Sequence, residues 1–98
     1  MTASVNVSPI NVALVGYGYA GRTFHAPLIR ATPGLNLHTV VSSRPDAAHA
    51  DLPDVRVVAD VETVLADRSI GLMVIATPND LHAPLTRRAV EAGMAGVV

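Results

Sequence analysis

The sequence contains no cysteine, no lysine and no tryptophan. Without cysteine, disulfides and thiolate metal sites are excluded, and the chain suits a reducing cytoplasm, where this reading places it. Seven arginines face eight acidic residues for a net charge of −1, and the charges are dispersed. That gives no electrostatic footprint for nucleic acid or for an anionic membrane. Long apolar runs are missing too: the longest, Leu72 to Ala76, falls far short of the ~20 residues a bilayer requires. With two tyrosines and one phenylalanine, the core has to come from the aliphatic residues in a chain that is 50% hydrophobic. The four histidines (His25, His38, His49 and His82) show no metal-ligand spacing, so no metal site is expected. His38, inside a strand, reads as structural and His49 as a surface residue. His25 and His82 lie near the ligand side, where hydrogen bonding is the ordinary role. No Ser/His/Asp arrangement or carboxylate pair supports hydrolysis, and no catalytic residue is assigned.

What is present, over 98 residues, is a single domain's worth of alternating strand and helix signals. Residues 1–9 are small and polar and read as a flexible leader rather than a signal peptide. From there the pattern predicts strands over Ile10–Val15, Leu35–Val41, Val55–Ala59, Ile70–Ala76 and Ala95–Val98. Helices fall between them, over Ala20–Ala31, Pro45–Ala50, Val61–Leu65 (capped by Asp60) and Leu81–Ala92, the last stopped by Gly93. Pro27 is expected to kink or break its helix near His25–Ala26, and Pro84 requires its helix to start at Asp80 or Leu81. Such alternation builds a doubly wound α/β Rossmann-type parallel sheet. Right-handed crossovers give it the strand order 3-2-1-4-5, incomplete at its C-terminal side.

The first strand runs directly into Gly16-Tyr17-Gly18-Tyr19-Ala20-Gly21. Strand, Gly-x-Gly-x-x-Gly and helix in that order form a dinucleotide-binding arrangement. Gly16 turns the chain off the strand, Gly18 keeps a side chain away from a diphosphate, and Gly21 lets the helix approach the strand. The amide groups at the helix start then face the anion. About twenty residues on, a carboxylate would select NAD by accepting from the ribose 2′-OH. This chain has Ser42-Ser43-Arg44 there, and a guanidinium beside two hydroxyls suits the 2′-phosphate of NADP. Asp46 keeps NAD open as the alternative, and an Arg44–Asp46 pair in a solvated turn is the plain structural reading. After the fourth strand come Ala76-Thr77-Pro78-Asn79-Asp80-Leu81-His82, either a simple strand-to-helix turn or a contact surface for the nicotinamide half.

Taken together, the residues Gly16 to Leu28, Ala76 to His82 and Glu91-Ala92-Gly93 resemble the Gfo/Idh/MocA family of NAD(P)-dependent sugar and polyol oxidoreductases, its inositol-dehydrogenase-like subgroup in particular. The resemblance runs from Ile10 to Val98 and implies an NAD(P)-binding Rossmann domain. It also implies a Glu/Asp-Lys-Pro motif with a catalytic lysine, which would fall just past Val98. A second α/β domain carrying substrate contacts and the usual oligomer interface is implied as well. Neither is in this sequence, so little or no turnover is expected of the chain alone, and a sugar or polyol substrate only with the missing domain supplied. The family's Gly-Lys-His-Val entry to strand five is replaced by Gly93-Met94-Ala95-Gly96-Val97-Val98, and Gly96 is expected to weaken that strand's pairing. Two alternatives remain beside the oxidoreductase reading. One is a non-catalytic nucleotide-binding or interaction module, since an uncovered apolar surface and sheet edge favour self-association. The other, a methyltransferase-like fold, is disfavoured because it expects an acidic residue after strand two.

Overall fold

The architecture comes from a computed structural model that describes residues 9–77 and 82–97. The strands are β1 (Ile10–Val15), β2 (Leu35–Val41), β3 (Arg56–Val58), β4 (Ile70–Ile75) and β5 (Ala95–Val97). They form one parallel sheet in the order β3-β2-β1-β4-β5. The helices are α1 (Ala26–Ala31), α2 (Pro45–Asp51), α3 (Val61–Leu65) and α4 (His82–Glu91). No helix among the described residues is long and apolar enough to cross a membrane.

Alternation along β1 divides the core between the two faces of the sheet. Val12 and Leu14 point to the α1–α2 side, where they meet Ala26, Ile29, Ala48 and Leu52. Ala13 and Val15 point the other way, to Val64 of α3, Ala89 of α4 and Met94. All four β1 residues are buried, as a central strand covered on both faces requires.

The expected break at Pro27 takes a specific form. Gly21–His25 is a π-helical turn that runs directly into α1, and Ala26 N–H reaches back to the Gly21 carbonyl. Proline has no N–H to donate and its ring crowds the preceding turn, so the helix widens by one residue ahead of it instead of breaking. Asp60 caps α3 as expected, accepting the Thr63 N–H at 2.9 Å. Gly93 ends α4 at φ +91°, with Gly93 N–H on the Val90 carbonyl and Met94 N–H on that of Ala89. The start of α4 near Asp80 or Leu81 lies outside the described residues.

The expectation of a poorly paired fifth strand is not met. β5 pairs with β4 through Leu72↔Ala95, Met73↔Gly96 and Val74↔Val97. A Cβ on Gly96 would come within 3.2 Å of Thr86 Cγ2 and 3.6 Å of Thr86 Cα. The missing side chain is what lets α4 lie against the strand, so the glycine serves the packing rather than weakening the sheet.

At the other edge, β3 is tied in by a polar chain. Arg56 donates from Nε to the fully buried Thr39 Oγ1 at 3.0 Å and from its terminal nitrogen to Asp67 Oδ2 at 2.8 Å. Asp67 also accepts from Ser69 N–H at 2.9 Å and Ser69 Oγ at 2.6 Å. The Ser69 hydrogen bonds first, and Arg56 after them, hold the Asp67 carboxyl below the usual carboxylate range. A depressed folded pKa contributes stability above the unfolded value, and that contribution is lost as pH falls through the folded one. Urea unfolding of an Asp67→Asn variant is therefore expected to lose less stability than the wild type between about pH 5 and about pH 3. Parallel losses in the two proteins would remove Asp67 from the acid response.

Candidate functional site

Register places the three expected loops side by side. Val15, the last residue of β1, pairs with Val41 on one side and Ile75 on the other, so the strands end at one level. Two backbone bonds carry the alignment into the loops: Gly16 N–H to the Val41 carbonyl at 2.9 Å, and Ala76 N–H to the Val15 carbonyl at 2.8 Å. Beyond them opens a crevice of about 680 Å³, at the point where the strand order reverses.

The three glycines of the loop have different surroundings. Gly16 has φ +105°, and a Cβ on it would lie 3.1 Å from the Ala76 carbonyl carbon and oxygen. Gly21 is buried, and a Cβ there would collide with the Gly16 carbonyl oxygen. Among the described residues nothing lies within 4 Å of the corresponding position on Gly18, whose φ is not in the left-handed region. The fold itself thus accounts for Gly16 and Gly21, whereas the space over Gly18 opens outward. Tyr19 and Ala20 lead the helix, whose first internal bond joins Arg22 N–H to the Gly18 carbonyl. The amides of Tyr19, Ala20 and Gly21 therefore precede the helix's own hydrogen bonding.

At the end of β2, Ser42 is buried and its Oγ accepts the Arg44 N–H at 3.0 Å, fixing the turn. Ser43 and Arg44 are exposed and line the crevice. The Arg44–Asp46 pair anticipated as the plain reading is not formed among the described residues, where ion pairs join Arg30 to Asp54, Arg56 to Asp67 and Arg88 to Glu62. The backbone turn is satisfied by Ser42, and nothing local draws the guanidinium down.

On the third side, Ala76 and Thr77 line the crevice, and Thr77 Oγ1 is buried with no hydrogen-bond partner among the described residues. His82 Nε2–H donates to the Thr77 carbonyl at 2.5 Å, joining the first turn of α4 to the end of β4's loop. Pro78 and Asn79 lie outside the described residues. Of the other histidines, His38 Nδ1 is 2.7 Å from Thr39 Oγ1, a contact within the β3 latch. No group of three or more metal-ligating side chains comes together among the described residues.

Sequence reasoning missed six of the described residues of the crevice wall: Val15 and Val41 at the strand ends, and Arg22, Ala47, Ala48 and Asp51. Tyr17 reaches across to them, its hydroxyl donating to Asp51 Oδ2 at 3.1 Å. Burial first, and the Asp51 carboxylate second, raise the Tyr17 phenol above its usual pKa, so it stays a neutral donor. This contact joins residues 34 apart in sequence and leaves no local pattern. Arg22, next to the last glycine, was the one within reach of motif reading.

Residues 10–98 match the family described as an oxidoreductase family with an NAD-binding Rossmann fold, GFO_IDH_MocA. The chain belongs to this family. Its match is to that family's NAD-binding Rossmann fold, with which the observed strand order agrees, and it is an NAD(P)-binding domain. It is similar to the uncharacterized oxidoreductase YdgJ of Escherichia coli, 51% identical over 91% of this chain and 26% of that protein. It is also similar to the Bacillus subtilis scyllo-inositol 2-dehydrogenase (NADP(+)) IolW, 33% identical over 89% of this chain and 24% of that protein. Among solved structures, GenD2 from gentamicin A biosynthesis, in complex with NAD, superposes with a TM-score of 0.81 at 30% identity, over 98% of this chain and 28% of that one. The chain thus spans about a quarter of the length of the curated relatives it matches.

The contrast among the glycines yields a stability test. Gly21→Ala, which drives a methyl group into the Gly16 carbonyl, is expected to lower unfolding free energy by about 1–3 kcal/mol, the usual range for overpacking. Gly18→Ala should change it by no more than about 0.5 kcal/mol, as at open surface sites. Equal destabilisation of the two in urea titrations would contradict the packing described here.

Proposed function

We propose that residues 10–98 bind NADP in preference to NAD, as the cofactor domain of an oxidoreductase acting on a sugar or polyol. The observation that carries this reading is the crevice itself. The open face over Gly18, the leading amides of the helix and the exposed Ser43 and Arg44 converge on it from adjacent strand ends. In this reading the diphosphate rests over Gly18 on the amides of Tyr19, Ala20 and Gly21, with Gly16, Tyr17 and Tyr19 forming the loop around it. Ser42 shapes the turn that presents Ser43 and Arg44 to the 2′-phosphate. Ala76, Thr77, Pro78 and Asn79 take the nicotinamide half, and His82 holds the Thr77 carbonyl in place. The partnerless Thr77 Oγ1 fits a site completed by a polar group from outside. Bound there, NADP supplies hydride chemistry at its nicotinamide ring, and the chain binds and orients it.

The substrate class rests on similarity to relatives, among them a scyllo-inositol 2-dehydrogenase described as NADP-dependent. Substrate-contacting and catalytic groups are assigned to chain beyond these residues, in a second domain, and the reading places the protein in the cytoplasm. One further observation favours a second role as an association module. Tyr19, Phe24 and Leu28 lie exposed at 71%, 59% and 66% along one helix, with Tyr19 edge-to-face against Phe24 at 5.8 Å.

Titration of the chain with NADPH and NADH, followed by nicotinamide fluorescence, tests the cofactor reading. NADPH is expected to bind at least about tenfold tighter, the effect of one or two charge-assisted hydrogen bonds. Gly18→Val should weaken both nucleotides without unfolding the chain. Equal or tighter NADH binding overturns the preference, and unaltered affinity in Gly18→Val overturns the diphosphate placement. Sedimentation over a range of concentrations addresses the second role, and a monomer throughout removes it.

A further inference from the structure

We propose that Arg22 is a second selectivity residue for the NADP 2′-phosphate, acting with Arg44 from a different element of the same crevice. The proposal rests on the cofactor reading above and extends it to a residue outside the glycine motif and outside the turn after β2.

Arg22 sits on the π-helical turn, one residue past the buried Gly21, and its exposed side chain lines the same crevice as Arg44. Arg44 reaches that crevice from the N-cap of α2. Two guanidiniums thus line one crevice from two different elements.

Their charges are also free to act. Arg30, Arg56 and Arg88 are tied to carboxylates, whereas Arg22 and Arg44 make no ion pair among the described residues. Among the described residues the crevice wall holds one carboxylate, Asp51, and one of its oxygens is engaged by the Tyr17 hydroxyl. What remains is an excess of positive charge facing a ligand. The diphosphate does not need it, because amide N–H groups over Gly18 serve a diester-like anion without a side chain. A phosphate monoester approaching a double negative charge does need it, and paired planar forks give both charge and geometric fit.

The test compares NADPH and NADH affinities in the wild type, Arg22→Gln and Arg22→Lys, with circular dichroism confirming that each chain is folded. Arg22 is exposed and bonded to no carboxylate, so its replacement should leave the fold intact. Arg22→Gln is expected to weaken NADPH about tenfold and NADH less than about twofold, as loss of one phosphate-binding cation implies. Arg22→Lys, which retains the charge without the fork, should fall between. An equal loss for the two nucleotides, or no loss for either, overturns the proposal and leaves the cofactor reading standing. A wild type that does not distinguish the two nucleotides overturns the cofactor reading itself, and the proposal with it.

Discussion

The site depends on one close approach, the helix start lying against the end of β1 so that Gly21 meets the carbonyl of Gly16. No side chain fits between them. Gly16 itself has to turn at positive φ to direct its carbonyl there, with the Ala76 backbone packed behind it. Because β1 is the central strand, the same turn is tied to β2 through Gly16 N–H and to β4 through the Val15 carbonyl. A small displacement at this junction would shift all three loops around the crevice together. The functional surface is set by backbone packing in the middle of the sheet, and the exposed side chains are mounted on it.

That arrangement explains which glycine is available for a ligand. Gly16 and Gly21 are spent on the fold: one on backbone conformation, the other on contact distance. Gly18 meets neither requirement, since its φ is outside the left-handed region and no described residue comes within 4 Å of a Cβ there. An alanine at Gly18 has room in the protein itself, which is why the proposed reading seats the diphosphate there. A motif match treats the three positions alike, and only the three-dimensional surroundings separate the glycines the packing requires from the one whose face is open.

The fold was legible because parallel strands covered on both faces are nearly continuous apolar runs, and Val, Ile and Leu mark them at Ile10–Val15, Leu35–Val41 and Ile70–Ile75. Turn chemistry at Asp60 and Gly93 fixed helix ends for equally local reasons. What escaped was set by contact at a distance. Gly96 looks like a strand breaker until α4 is seen to rest on it, and Pro27 looks like a helix breaker until the preceding turn is seen to widen. The Tyr17–Asp51 bond has no counterpart in any short spacing. Local rules locate elements, and they misjudge residues whose purpose is to let two elements touch.

The proposed preference for NADP asks how a nearly neutral chain would select an anion. With a net charge of −1, the molecule as a whole draws no anion toward it. Selectivity has to come from placement, and the carboxylates are placed to leave the crevice positive. Asp54, Asp67 and Glu62 occupy Arg30, Arg56 and Arg88 elsewhere on the surface. The turn after β2, where a carboxylate would repel a 2′-phosphate, is closed by the Ser42 hydroxyl on the Arg44 amide. A neutral side chain thus does the turn-forming work that an aspartate could also have done, without its charge. The one acid among the described wall residues, Asp51, accepts a hydrogen bond from a phenol whose ionisation is suppressed by burial first and by that acid second. The charge of the crevice wall, among the described residues, then rests on Arg22 and Arg44 against Asp51.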